Sequence, residues 1–489
     1  MGARQYAGYA GTRLKHRSAG NLGIVSEAEK ELLDTYRNKD LDILDAYYEG
    51  RQYTGMPSWE DSQAEDGEYL KVRERAPRLN YNFAKILASR LTSKLLGKKN
   101  FPQLKVEDDP QTAEYLNLIL STSQLRSKLM EPMRRTINTG SCFVRFSIIG
   151  GKWKVQHYLS KWCFPEFDET GELNKMIVKY VYDDHEDLDD KGKPIRKWYK
   201  LSLTKDKDVL YNNPEFKADE AEPKFSVKSS VEHKLGFVQG EWFKSSDVEG
   251  HVDGHSIVSD ILGFIDELNY SLSQTSTAIQ YNQDPQLVFS NMDEDEMDSI
   301  VRSSVKAWNL GREGKAEFLE SDLTGVEAAV VFRDKLKLSI QDISRIVMLD
   351  PEKMATHAQS GRAMEVLHGP LVELIEEMQP QLEKHLKTLI LKMAFANGIQ
   401  FENSGVSPIA IPNYKPKSFN VMFAFPDVFP QTAEDLQKKV GVAVNAANAS
   451  LISRESMTRW LAKDFDIVDI EEELKRIEGQ PVINPFGAF

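Results

Sequence analysis

The chain has 489 residues, 41% hydrophobic, 28% charged and 10% aromatic, the composition of a globular protein large enough for several buried cores. Lys plus Arg total 62 against 75 Asp plus Glu, and a formal charge of -13 argues against a tight nucleic-acid clamp, which must neutralise phosphates. The two cysteines, Cys142 and Cys163, form neither a CxxC pair nor half of a zinc set, and read as partly buried thiols in a reducing compartment.

Residues 1–25 carry Arg4, Arg13, Lys15 and Arg17 with no apolar stretch behind them, so they read as a flexible Gly/Ala-rich arm instead of a signal peptide. From Ser26 to Gly50 a helix is predicted, with Leu32, Leu33, Tyr36, Leu41, Leu44, Tyr47 and Tyr48 at spacings of three and four. A second spans Asn80 to Gly97, capped by Asn80 or Asn82 and buried through Phe83, Ile86, Leu87, Leu91, Leu95 and Leu96. Gln111 to Arg135 continues as helix, with a kink or interruption expected at Pro132. The runs CFVRFSI, GKWKVQHYL and NKMIVKYVYD are β-branched and aromatic and read as strands; the polar stretch after them reads as a loop and two more strands. Residues 26–240 therefore form an α+β unit.

Helical character resumes at His255 and runs without proline to Pro285. PQLVFS is a predicted strand, followed by the acidic run Asp293, Glu294, Asp295, Glu296 and Asp298, and strand-like pieces near Gly311 and Gly314. A helix over about 326–349 stops at Asp350-Pro351, and a polar turn follows. The longest pattern runs from Arg362 to Ala396, with kinks at Pro370 and Pro380 and a stop at Asn397-Gly398. SFNVMFAFPDVF reads as a strand, and short helices close the chain, one starting near Ser453. The longest apolar stretches fall short of a membrane span, so a soluble protein made in the cytoplasm is expected.

No enzyme signature emerges. Gly311 to Lys315 is too short for a P-loop. His251, Asp253 and His255 form the best metal-like cluster, and would serve a metal-dependent hydrolase or nuclease, although caps before a helix are the plainer reading. The acidic run at 293–298 could attract Mg²⁺, but consecutive residues point in different directions, which favours a solvated or docking face. The reading is a non-enzyme without cofactors or metals. What stands out is architectural: two long helices flank a β-containing insertion and a third follows, a plan suited to side-by-side packing around a closed ring.

Several short motifs occur in order along the chain: Tyr47-Tyr48-Glu49-Gly50; the Asn82 to Gly97-Lys98 helix; Thr136 and Gly140; Ser259-Asp260-Ile261 with Ile265-Asp266-Glu267-Leu268-Asn269 and Ser273; Gln359-Ser360-Gly361-Arg362-Ala363-Met364; Ile452-Ser453-Arg454-Glu455-Ser456; and Glu471 to Glu478. With these the sequence resembles the portal family of tailed double-stranded DNA bacteriophages that includes the SPP1 portal, departing from it in that the proline after the second helix stands downstream, at Pro102. The resemblance implies a phage portal fold of α+β class: a ring-forming subunit with long stem and tunnel helices, a β-rich wing and a small α/β clip. It implies a wing at 26–254 and 362–429, stem helices at 255–282 and 326–349, a clip at 283–325, a tunnel loop at 350–361, and a crown with C-terminal segment at 430–489.

It further implies a ring of about twelve copies at one capsid vertex of the virion. Terminase would package double-stranded DNA through it without sequence specificity, and an adaptor and tail would attach for ejection. Major capsid and scaffolding proteins are implied partners, and no membrane is. Lys353, His357, Gln359 and Arg362 become candidates for facing DNA, and Asp293, Glu294, Asp295, Glu296, Asp298, Trp308 and Arg312 for facing terminase or adaptor. The deficit of positive charge then suits a channel that must let DNA slide. A structural ring or capsid-associated scaffold that conducts no DNA is the rival reading.

Overall fold

The computed structural model describes residues 27–64, 67–106, 109–218, 220, 222–283, 286–290, 315–319, 324–346, 368–409, 420–428, 433–449, 451–462, 465, 467 and 470–478. The chain divides into two compact units, Met1–Ile346 with Leu374–Pro426, and Val347–Glu373 with Asp427–Phe489.

The first unit begins with helix α1, Glu27–Glu49, whose Leu41, Leu44, Tyr47 and Tyr48 are buried, while Tyr36 of the same apolar series lies exposed beside Lys39. Helix α2, Phe83–Leu96, starts at Asn82, whose side chain accepts the Lys85 N–H, and buries Phe83, Leu87, Leu91, Leu95 and Leu96. The next helical stretch is broken in three: α3 (Pro110–Thr122), α4 (Leu125–Lys128) and α5 (Met130–Thr139). One break falls at Gln124, in the left-handed region at φ 54, and a second at Leu129, three residues before Pro132. Pro132 has no N–H to offer the Lys128 carbonyl four residues back, and the helix is interrupted between Lys128 and Met130, leaving Pro132 in the first turn of α5.

Two antiparallel sheets follow. Strands β2 (Ser141–Ile149), β3 (Lys152–Leu159) and β9 (Gly240–Lys244) form one, in the order β3-β2-β9. The other has the order β4-β5-β6-β7-β8: Cys163–Phe167, Leu173–Leu188, Pro194–Thr204, Lys207–Tyr211 and Val227–Glu232. Strand β5 continues well into the acidic stretch expected to be loop, because a hairpin arm needs cross-strand partners and not apolarity; Asp184 meets Lys197 at 2.9 Å. Phe143, Cys163, Met176, Val178, Leu203 and Trp242 share one core. Burial pushes the Cys142 thiol up to about 12 and raises Cys163 likewise; both are free and buried more completely than expected, so neither is a reactive thiolate.

The helix predicted from His255 begins later. Residues 250–258 are irregular, Ser259–Ile261 make one 3₁₀ turn, and α6 is Leu262–Gln283. Strands β10 (Gln286–Ser290) and β11 (Lys315–Leu319) pair antiparallel, Val288 opposite Glu317. Helix α7, Thr324–Ser344, ends ahead of its predicted stop, where Arg345 turns left-handed at φ 56. Helix α8, Gly369–Ser404, passes through Asn397-Gly398 and stops at Gly405, φ 67. Asn397 is no cap: it is buried, donates to the Tyr115 hydroxyl at 3.0 Å and the Ile409 carbonyl at 3.1 Å, and accepts the Ile409 N–H at 3.2 Å. Strand β1 (Gln103–Val106) pairs with β12 (Val421–Ala424), tying distant sequence together.

In the second unit α9 (Ala433–Asn448) packs on α10 (Arg454–Leu461), which is capped by Ser453 through the Ser456 N–H and followed by α11 (Ile470–Glu478). Among the described residues no helix is long and apolar enough to cross a membrane.

Candidate functional site

The feature that asks for a partner is the pair α6 and α7, packed against each other. The first half of α6 is rooted in the body by polar contacts. Tyr47 and Tyr53 donate to the two oxygens of Asp266 at 2.5 and 2.6 Å. Burial raises the Asp266 carboxyl above its ordinary value despite those hydrogen bonds, and burial beside that carboxylate drives both tyrosine hydroxyls far up, so they stay donors. One turn on, Asn269 accepts the Tyr81 N–H at 2.8 Å and donates to Tyr53 and Asn80 at 3.1 and 3.2 Å. Ser273 accepts the Leu79 N–H, and Thr277 accepts the Trp59 indole N–H at 2.9 Å.

Beyond Thr277 the helix surfaces, with Ile279 39% and Tyr281 63% exposed. Helix α7 buries Leu336, Ile340 and Ser344, one row at a spacing of four. Val331 and Leu338, each 57% exposed, stand two turns apart on the side roughly opposite that row, at about 100° per residue. Phe332 (46%) and Ile343 (42%) lie along its flank. Exposed Lys335 and Asp342 stand on that same side, so it is a mixed face carrying two exposed apolar residues. Covering residues of this kind is worth about 1.5–3 kcal/mol each when burial is complete. At its far end Arg345 donates to Glu377 of α8 at 2.6 Å and Ile346 is buried, which fixes where α7 stops.

The metal-like cluster dissolves on inspection. Arg37 of α1, 216 residues away, holds Asp253 by two bonds, Nε to Oδ2 at 2.6 Å and Nη2 to Oδ1 at 2.9 Å. The Ser141 hydroxyl donates to the same carboxylate, and both ion-pair side chains are 1% exposed. His255 turns outward to Asp260 at 3.0 Å, and His251 caps nothing more than Lys244 through its carbonyl. The three expected ligands thus diverge, because Asp253 serves a buried guanidinium. Among the described residues no group of three or more His, Cys, Asp or Glu could hold a metal.

Of the residues expected to face DNA or a docking partner, Lys353, His357, Gln359 and Arg362, and Asp293, Glu294, Asp295, Glu296, Asp298, Trp308 and Arg312, all lie outside the described residues. Sequence reasoning passed over Val331 and Leu338. Their signal was present: Val330-Val331-Phe332 puts apolar side chains on more than one side of α7.

A family model described as "Phage portal protein, SPP1 Gp6-like" matches residues 30–480. None of the curated proteins compared with the chain matches it.

Proposed function

The chain belongs to the SPP1 Gp6-like family of phage portal proteins, the head–tail connectors of bacteriophage capsids that serve genome packaging, and from that premise we propose that it acts as one subunit of a closed ring around a DNA channel. The observation that carries the reading is the pair of exposed apolar residues on the far side of α7, Val331 and Leu338, opposite the row packed within the chain. In a cyclic assembly each copy offers one side of its helical pair to the next and receives its neighbour on the other, so exposed apolar residues such as these are covered. Helices α6 and α7 are then the stem, β10 and β11 with residues 291–314 the clip, 350–361 the tunnel loop, the sheets and α1 to α5 the wing, and α9 to α11 the crown.

Terminase drives duplex DNA through the ring and an adaptor later closes it, with the acidic clip residues as their docking face. An acidic chain suits this work, since each neutralised phosphate would add salt-dependent grip and slow sliding. The role is mechanical and not catalytic; Asp253, the best candidate ligand in the sequence, is committed to Arg37.

The test is the mass of the assembled protein. Wild type forms rings of about twelve subunits, or one more or fewer when expressed alone. Val331→Asp with Leu338→Asp shifts the population to free subunits whose circular dichroism is unchanged. Rings that survive the double substitution remove α7 from the interface, and a wild type that is monomeric or dimeric removes the ring.

A further inference from the structure

In the first unit a cavity of about 420 Å³ lies between the α3–α4 turn and the β2–β3 hairpin. It is within the size range of small-molecule sites, roughly 300–1,000 Å³. Its composition departs from that of the chain. Three of its ten lining residues are lysines, Lys128, Lys152 and Lys154, and none is acidic, in a protein whose net charge is -13. Among the described residues none of the three lysines pairs with a carboxylate.

The fold assembles this set from two places. The left-handed Gln124 redirects the chain from α3 into α4, which ends at Lys128. Strand β3 is the outer strand of its sheet, so the side of the strand toward the cavity has no strand partner among the described residues, and Lys152 and Lys154 project from it at a spacing of two. Gly151, at φ 71, brings the hairpin close to the segment after α8; a Cβ there would come within 2.9 Å of a Val406 methyl carbon. Trp153 also lines the cavity, and its indole N–H is shut off from solvent and has no hydrogen-bond acceptor.

From these observations we infer that the cavity binds a small phosphorylated anion, of the size and charge of a nucleotide's phosphate chain. Three lysines on one lining, all with exposed side chains and no carboxylate among them, favour a ligand with several negative charges. The lining holds lysines and no arginine, which favours phosphate met by point charges over a carboxylate met by a planar fork.

The experiment is calorimetric titration of inorganic tripolyphosphate into the full-length protein, at low salt and again with added salt, beside a citrate titration. The expected result is saturable binding of tripolyphosphate that weakens with salt, at least about tenfold weaker in Lys152→Gln/Lys154→Gln. Lys128→Gln, on a different element, gives the same comparison if the double variant melts early without ligand. No binding to wild type, or equal binding by every variant, overturns the site. Citrate binding as tightly as tripolyphosphate overturns the phosphate assignment.

Discussion

Replacing Asp253 by asparagine tests whether the His-Val-Asp-Gly-His segment is architecture or chemistry. The carboxylate takes Arg37 Nε at 2.6 Å and Nη2 at 2.9 Å, and the guanidinium also donates to the Cys163 and Ser160 carbonyls at 3.0 and 3.1 Å. Asparagine keeps the shape and removes the charge, leaving a guanidinium that is 1% exposed without its counter-ion. Breaking a buried pair from one side costs about 3–5 kcal/mol. For a cooperative unit of roughly 400 residues, at about 2.1 cal/mol/K per residue, that lowers the melting temperature by about 4–6 °C. Arg37→Met falls by a similar amount, because it strands the carboxylate. The pair Arg37→Met with Asp253→Leu recovers part of the loss, since no charge is left unmatched, while the Ser160 and Cys163 carbonyls and the Ser141 hydroxyl still lose partners. Scanning calorimetry at fixed protein concentration measures all four proteins. Single variants within about 1 °C of wild type, or a double variant that falls by the sum of both, refute the buried-pair account. A chelator that destabilises wild type and spares Asp253→Asn would return the segment to the metal candidates.

Three other outcomes are expected, the last from the proposed tunnel loop alone. Burial raises the Asp266 carboxyl above 3.8, so the folded chain holds this proton more tightly than the unfolded one; that stabilisation is complete below the ordinary value and is lost as pH rises through the raised one. Melting temperatures of Asp266→Asn relative to wild type therefore improve from pH 4 to pH 7, and a flat difference contradicts the assignment. Gly140 has φ 86, and a side chain on it would collide with the Gly254 carbonyl, so Gly140→Ala costs several kcal/mol and soluble yield collapses. Gly192→Ala, at φ 75 with nothing within 4 Å, costs about 1 kcal/mol, and equal yields from the two variants would refute the close-packing argument. Lys353→Ala and Arg362→Ala reduce the DNA packaged per head while rings still form; normal DNA content in purified heads rejects their role.

Much of the helical framework could be read directly, because periodicity and capping are local. Asn82 and Ser453 stand where their helices begin, and the buried positions of α2 and α3 follow the three-four spacing. The errors share one cause, a local signal overridden by a partner far away in sequence. Asn397-Gly398 has the chemistry of a helix end, yet Ile409 and Tyr115 occupy the Asn397 side chain and the helix continues. The Arg37–Asp253 pair spans 216 residues and the β1–β12 pairing joins Leu104 to Phe423, distances no single-sequence pattern bridges. The candidate surface was legible only in part: an apolar stripe announces one buried side of a helix, and Val331 and Leu338 lie on the other.

Imaging of intact virions at the vertex where head meets tail, with this chain marked by a bound antibody fragment, tests the central claim most directly. The expected picture is one marked vertex per head, holding a ring of about twelve copies around an axial channel wide enough for duplex DNA. Label spread over all vertices, or a ring closed along its axis in both DNA-free and filled heads, would contradict it.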